Sequence, residues 1–232
     1  MLVTGLVVLC CYFFIFTFSR DKDTAFRRTW SVTHYWALTV VRLLFLNLDR
    51  GPAPALVPGK PYVIASNHLS ILDIPLAMLA CPVPFSFLAK AEVRSMPVIG
   101  YLAKNMHVLV NRKSNESRRK SYEYLKNWLT KGRPVLIFIE GTRNRTRQPL
   151  SPKIHEGAFR LAVDTQTPIV AFAICRSNQA MPPGPWPGFR PWARVTLRWS
   201  EQLFETQGLT PADIPALKTS VTEWLTQNLQ KH

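Results

Sequence analysis

From residue 61 onward, short strand-like runs, several of them apolar on consecutive positions, alternate with longer stretches whose apolar positions recur at helical spacing. The runs at 62–65, 85–89, 107–110, 135–139, 169–174 and 194–199 are rich in Val, Ile and Phe and predict strands. The stretches at 70–80, 96–104, 116–130, 158–164 and 211–230 predict helices. Strands that are apolar on successive positions are those buried on both faces, as when helices cover both sides of a sheet. The alternation therefore predicts an α/β domain over 61–232, with one main sheet covered by helices. Gly51-Pro52-Ala53-Pro54 and Pro58-Gly59 mark a linker ahead of it.

Before that linker the pattern changes. Residues 1–18 form an apolar run broken only by Thr4, Gly5 and Thr17, and Arg20 then opens a basic stretch with Lys22, Arg27 and Arg28. A cleavable signal peptide has positive charge before its apolar run and a small-residue cleavage site after it. Neither is present, so residues 1–19 are expected to be an uncleaved membrane anchor. At ~1.5 Å per residue such a run reaches roughly 27 Å against a hydrocarbon core of about 30 Å, which leaves spanning and re-entrant geometries open. Positive charge behind the anchor places the rest of the chain on the cytoplasmic side of its membrane, the inner membrane in a bacterium. Within 20–50, Trp30, Tyr35, Trp36, Val40, Val41, Leu43 and Leu44 are interleaved with Arg27, Arg28 and Arg42. That pattern fits an amphipathic helix lying in the membrane interface, and equally an ordinary packing helix. Residues 181–192 contain five prolines among twelve positions, which rules out regular structure and predicts either a packed proline loop or a surface loop whose aromatics touch lipid.

Charge narrows the choice of partners. The chain has 29 Lys and Arg against 14 Asp and Glu, a formal +15, which implies an anionic partner. Paired Cys/His ligands and aromatic RNP segments, the marks of nucleic-acid modules, are missing, so a phospholipid surface and phosphorylated substrates are expected rather than nucleic acid. Cys10, Cys11, Cys81 and Cys175 suit neither a zinc site nor a disulfide framework, and no metal is implied.

The chemistry is concentrated at strand ends. Asn67-His68-Leu69-Ser70-Ile71-Leu72-Asp73 sets an imidazole and a carboxylate five residues apart, after one predicted strand and at the start of a helix. A histidine oriented in this way can act as general base toward a hydroxyl attacking an activated acyl group. The same residues also read as a capping box, with Ser70 as N-cap and Asp73 favoured by the helix dipole. Phe138-Ile139-Glu140-Gly141-Thr142-Arg143 leaves a buried strand for a glycine-hinged turn that can cradle a phosphate, or simply be solvated. His107-Val108-Leu109-Val110-Asn111-Arg112 ends a strand in arginine, and Thr167-Pro168-Ile169-Val170-Ala171-Phe172 is a strand led by proline.

In this order and spacing the four segments resemble the blocks of the glycerolipid acyltransferase family, the 1-acylglycerol-3-phosphate acyltransferases and their relatives. The resemblance covers 61–174 and takes in Lys90 and the Pro97-x-x-Gly100 turn. Three positions depart from the family pattern: Ile139 where proline is frequent, Asn111 where aspartate is frequent, and His155-Glu156-Gly157 where a lysine usually precedes the glycine. None is a catalytic group. The resemblance implies that His68 is the general base and that Asp73 orients it. It assigns the acceptor's phosphate to Lys90, Arg112 and Arg143, gives Glu140, Gly141 and Thr142 the shaping of that pocket, and leaves Asn67 and Pro168 in support. It further implies an O-acyltransferase moving an acyl chain from acyl-CoA or acyl-carrier protein to the sn-2 hydroxyl of lysophosphatidic acid, with no cofactor besides that co-substrate. Another lysolipid, such as lyso-ornithine lipid or a lysophospholipid, is the alternative acceptor. A non-catalytic protein that holds lipid phosphate on a membrane is the reading from a different class.

Overall fold

A computed structural model describes residues 18–95, 99–111, 114–146, 148–183 and 188–231. Helix α1 (Lys22–Leu43) leads into strand β1 (Asn47–Arg50), and β2 (Val63–Ser66) follows the linker. Next come α2 (Asp73–Ala80), β3 (Ser86–Lys90), a 3-10 turn (Ala91–Ser95), α3 (Ile99–Met106), β4 (Val108–Val110), α4 (Asn115–Thr130) and β5 (Val135–Phe138). The chain ends through α5 (Gly157–Asp164), β6 (Ile169–Cys175), the short α6 (Ser177–Ala180), β7 (Arg194–Trp199), a second 3-10 turn (Pro211–Asp213) and α7 (Ile214–Lys231).

The seven strands form one sheet in the order β1-β7-β6-β2-β5-β3-β4. Every neighbouring pair is parallel except β6 with β7. Parallel neighbours require crossover connections, and α2, α3, α4 and α5 supply them. Helix α1 packs on α2 and α3, while α5 packs on α4 and α7. All seven residues of β6 are buried, as the run of consecutive apolar positions required.

The mixed α/β sheet covered by helices agrees with the sequence expectation, and the six expected strands are present with ends shifted by a residue or two. Strand β1 was not expected. Asn47-Leu48-Asp49-Arg50 has no apolar run, and its pairing with β7 is fastened by Asp49, which accepts from Arg194 Nη2 at 2.8 Å and Arg198 Nη2 at 3.0 Å. Hydrogen bonds from Arg198 and then Arg194 hold the Asp49 carboxyl down at about 2.

The segment 20–50 therefore needs correction as a single helix: the helix stops at Leu43 and its last residues belong to the sheet. The α1 stripe Ala25, Thr29, Thr33, Ala37 and Val41, spaced by four, is buried against the fold, whereas Tyr35, Trp36 and Leu43 on other faces are exposed. The packing reading of this helix thus holds for one face, and the other face is left exposed. No helix among the described residues is long and apolar enough to cross a membrane. Residues 1–17, which hold most of the expected 1–19 anchor, lie outside the described residues.

Candidate active site

Five parallel strands, β2 to β6, end on one rim of the sheet, and the candidate residues follow four of those ends. Ligands of open α/β sheets bind outside the carboxyl ends of the strands. Asn67 and His68 follow β2 at its centre, Lys90 closes β3, and Glu140 to Arg143 follow β5. Arg112 lies beyond β4 and outside the described residues. Pro168 falls elsewhere: its carbonyl accepts from Val63 N at 3.0 Å, at the opposite end of β2 from His68. It immediately precedes β6 and lies away from the site. A concavity lined by Gly59, Pro61, Leu129, Gly132 and Thr167 lies at that far end too.

His68 Nδ1 stands 2.8 Å from Asp73 Oδ2. Asp73 is fully buried at the first residue of α2, and Oδ2 also accepts from Leu69 N at 2.6 Å and Ser70 N at 2.8 Å. Its Oδ1 accepts from the Ser177 hydroxyl. Four donors thus satisfy a carboxylate that burial alone would penalise. The capping reading needs correction: the N-cap of α2 is Leu72, without a side-chain hydrogen bond, although the carboxylate that takes the imidazole also accepts from Ser70 N. The Ser70 hydroxyl is not the reciprocal cap. It donates to Met181 O at 2.7 Å and accepts from Leu72 N at 3.3 Å. With Nδ1–H donated to Asp73, the ring's lone pair is at Nε2. The ring stacks on Phe138 with centroids 4.1 Å apart and keeps 16% of its side-chain surface exposed, enough for access from the rim.

The backbone of His68 is gripped from both sides. Its N–H donates to Glu140 Oε2 at 2.6 Å, and its carbonyl accepts from Asn144 N at 2.6 Å. Asn67 closes the other flank: its side-chain amide donates to Ile174 O and accepts from Ile174 N, both at 2.8 Å, tying the end of β2 to β6. Glu140 was expected to shape the anion pocket, and the structure corrects this. It is buried, and its second oxygen accepts from Ser151 N at 2.7 Å, so both oxygens hold backbone beneath the site. Burial raises its carboxyl above the ordinary glutamate range, with the hydrogen bonds from His68 and Ser151 working against the shift.

A raised carboxyl binds its proton more tightly in the folded chain than in the unfolded one. Its contribution to stability therefore falls as pH rises from the ordinary glutamate value through the raised one. Glu140→Gln is expected to abolish that slope and to set an NH₂ against one of the two backbone donors. The cost is about 1–3 kcal/mol. Thermal melts at several pH values check both effects, and turnover is expected to drop because the His68 backbone loses a support.

Gly141 takes φ +67°, the left-handed region that favours glycine, and a Cβ there would stand 2.8 Å from His155 Cδ2. Thr142 is exposed and Arg143 half-buried on the same turn, and Arg143 forms no hydrogen bond or ion pair with another described residue. The site so assembled pairs an oriented imidazole with a glycine-hinged turn that carries an available guanidinium. Phe138, already part of the quoted motif, and Asn144, Ser151 and Ser177, which had not stood out in the sequence, complete it. Only Ser177 left a usable signal, as a hydroxyl two residues beyond the carboxyl end of β6.

The family model described as Acyltransferase matches residues 47–175, from β1 to the end of β6. The chain belongs to the acyltransferase family. Among its curated relatives, a 1-acyl-sn-glycerol-3-phosphate acyltransferase of Chlamydomonas reinhardtii is 33% identical over 60% of this chain and 41% of its own length. The mouse 1-acyl-sn-glycerol-3-phosphate acyltransferase alpha is 33% identical over 71% of this chain and 57% of its own. A lyso-ornithine lipid O-acyltransferase of Pseudomonas aeruginosa is 41% identical over 37% of this chain and 32% of its own. The matched stretches thus span between a third and three-fifths of these acyltransferases. The fold is shared with the crystal structure of the 1-acyl-sn-glycerophosphate acyltransferase PlsC from Thermotoga maritima, at a TM-score of 0.77 and 21% identity over 99% of this chain and 88% of that one.

Proposed function

We propose that the protein transfers an acyl chain from an acyl thioester, acyl-CoA or acyl-carrier protein, to the sn-2 hydroxyl of lysophosphatidic acid. The product would be phosphatidic acid for phospholipid synthesis. The observation that carries this reading is the His68–Asp73 pair on the same rim as the Gly141–Arg143 turn. Arg143, with Lys90 and Arg112, holds the acceptor's phosphate and so brings its free hydroxyl to Nε2 of His68. Nε2 takes the hydroxyl proton as the oxygen attacks the thioester carbonyl, and the imidazolium returns that proton to the departing thiolate. Asp73 fixes the tautomer and steadies the charged ring. The thioester is already activated, so attack is direct and no acyl-enzyme forms.

Arg143→Ala is expected to raise the acceptor's KM by tenfold or more while moving the donor's KM little, about 1.5–3 kcal/mol for a lost charge-assisted hydrogen bond. Steady-state kinetics with each substrate varied in turn measures this, and equal effects on both would assign Arg143 a structural role. The second reading, transfer to lyso-ornithine lipid, is favoured by the 41% identity to an acyltransferase of that name and by His155 at the turn. Incubation with a panel of lysolipids and both donor types, read by mass spectrometry, separates the acceptors. A panel without any acylated product sinks both readings.

The reaction is further proposed to occur on a membrane, with the catalytic domain on the cytoplasmic side. Antiparallel β7 starts on the catalytic rim, and β1 starts beside it, so the end of α1 and residues 188–192 ahead of β7 reach that rim. There Phe45 and Trp192 stack with centroids 4.9 Å apart. Both residues hold positive φ, 47° and 64°, an uncommon backbone for bulky side chains. Trp192 is 71% exposed and Leu43 69%, with Arg42 and Arg190 exposed nearby in sequence. Aromatic and basic groups mixed in this way suit the headgroup layer, about three strand spacings or roughly 14 Å from β2. Full-length protein is expected to stay with membranes through a high-salt wash and to leave with detergent. Fractionation of expressing cells checks it, and full-length protein in the soluble fraction without detergent would defeat the proposal.

A further inference from the structure

We infer that His155 is a second, titratable cation of the acceptor site, making affinity for the acceptor's anionic headgroup fall as pH rises through neutrality. The inference rests on the reading that the Gly141–Arg143 turn holds that headgroup. The sequence places His155 fourteen positions after the glycine, and the fold brings the two together. His155 N donates to Ile139 O at 2.9 Å, so its segment runs beside the end of β5. Its ring occupies the space a side chain at 141 would need: an added Cβ would lie 2.8 Å from Cδ2 and 3.0 Å from Nε2. The glycine therefore serves the imidazole as well as the turn. The ring lies against the cradle's hinge while the residue stays exposed, within reach of solvent and of a ligand on the rim.

Protonation of an imidazole changes its charge between about pH 5 and 8. Packed against Gly141, two residues before Arg143, a charged His155 would give the headgroup a second cation, and a neutral one would leave the guanidinium alone. The other titratable and charged groups on the packed segments, among the described residues, are Glu140, Arg143 and Arg145 on and after the turn, Lys153 and Glu156 on its own segment, and His68 across Glu140. Glu140 has both oxygens engaged with backbone donors beneath the site. Glu156 is exposed and adjacent in sequence. The headgroup is an anion, phosphate or carboxylate, and one cation pair would recognise either.

The test is equilibrium binding of acceptor without acyl donor, in a His68→Ala background so that His68 does not titrate. His155 is compared with His155→Gln and His155→Lys at pH 6, 7 and 8. One arm uses a soluble short-chain lysophosphatidate and a second arm a short-chain lyso-ornithine lipid, whose carboxylate keeps its charge over this range. The phosphate's own titration enters all variants alike, so the affinity ratio of each protein to the Gln form is the quantity read. That ratio is expected to drop about fivefold from pH 6 to 8 with histidine, as for a group whose pKa rises by one unit on binding. With lysine it is expected to stay high and flat. The arm that shows the drop identifies the anion. A histidine-to-glutamine ratio that does not change with pH in either arm overturns the inference. Absence of binding by every form in both arms would instead overturn the acceptor reading on which it rests, which a folded, non-binding Arg143-bearing protein makes a distinct result.

Discussion

His68→Ala is expected to lower acyl transfer by about 10²–10⁴-fold, the usual contribution of a positioned general base, while the fold persists. The fold should survive because the groups around the ring do not depend on it. Glu140 and Asn144 bind the backbone of residue 68, which alanine retains. Asp73 loses one of its four donors and keeps the two backbone N–H groups and the Ser177 hydroxyl. Phe138 loses its stacking partner, a cost of about 0.5–1.5 kcal/mol on the scale of aromatic pairs. Turnover measured beside a thermal melt separates the two effects. Near-full turnover in a folded variant would remove His68 from the mechanism.

The second large effect is expected at Asp73. In Asp73→Asn the side-chain oxygen can still accept from Leu69 N, Ser70 N and the imidazole, while the new NH₂ donates to Ser177 Oγ, whose hydroxyl turns from donor to acceptor. The geometry is kept and the negative charge is lost, so the imidazolium that forms during transfer goes unstabilised. Turnover is expected to fall about 10²–10⁴-fold with little change in KM for either substrate. Asp73→Ala is expected to fall at least as far and also to melt earlier, because three buried donors lose their acceptor, each worth about 1–3 kcal/mol when left unpaired. A wild-type rate in the asparagine form would show that the charge is idle.

The contrast between these residues explains what the sequence discloses. The His68–Asp73 pair spans five positions and lies where a strand gives way to a helix, so local periodicity reveals it. The six strands of apolar residues were legible for a similar reason, since β6 and its neighbours are buried whatever partner they take. Strand β1 was not legible, because its partners for Asp49 are arginines 145 and 149 residues away. Ser177 lies 104 residues from the carboxylate it serves, and Glu140 lies 72 from the amide it holds. Such groups are chosen by tertiary contact, and local composition does not record that. Glu140 shows the other side of this. Its place in a conspicuous motif suggested contact with substrate, and only its burial between two backbone donors gives it the supporting role.

The late closure of the sheet's edge sets an order of events during synthesis. Strand β1 has a single sheet neighbour, β7, and Asp49 meets Arg198 across 149 residues of chain. A ribosome working at about 5–20 residues per second delivers that partner many seconds after α1 has left the exit tunnel. Through that interval neither β1 nor the end of α1 has a sheet to dock against, while the aromatic and arginine side chains of α1 are already available. On the membrane association proposed above, a bilayer is the surface such a helix would meet. The acyltransferase domain would then be assembled on a segment that has already met lipid, and its orientation toward the membrane would be settled before its catalytic rim exists.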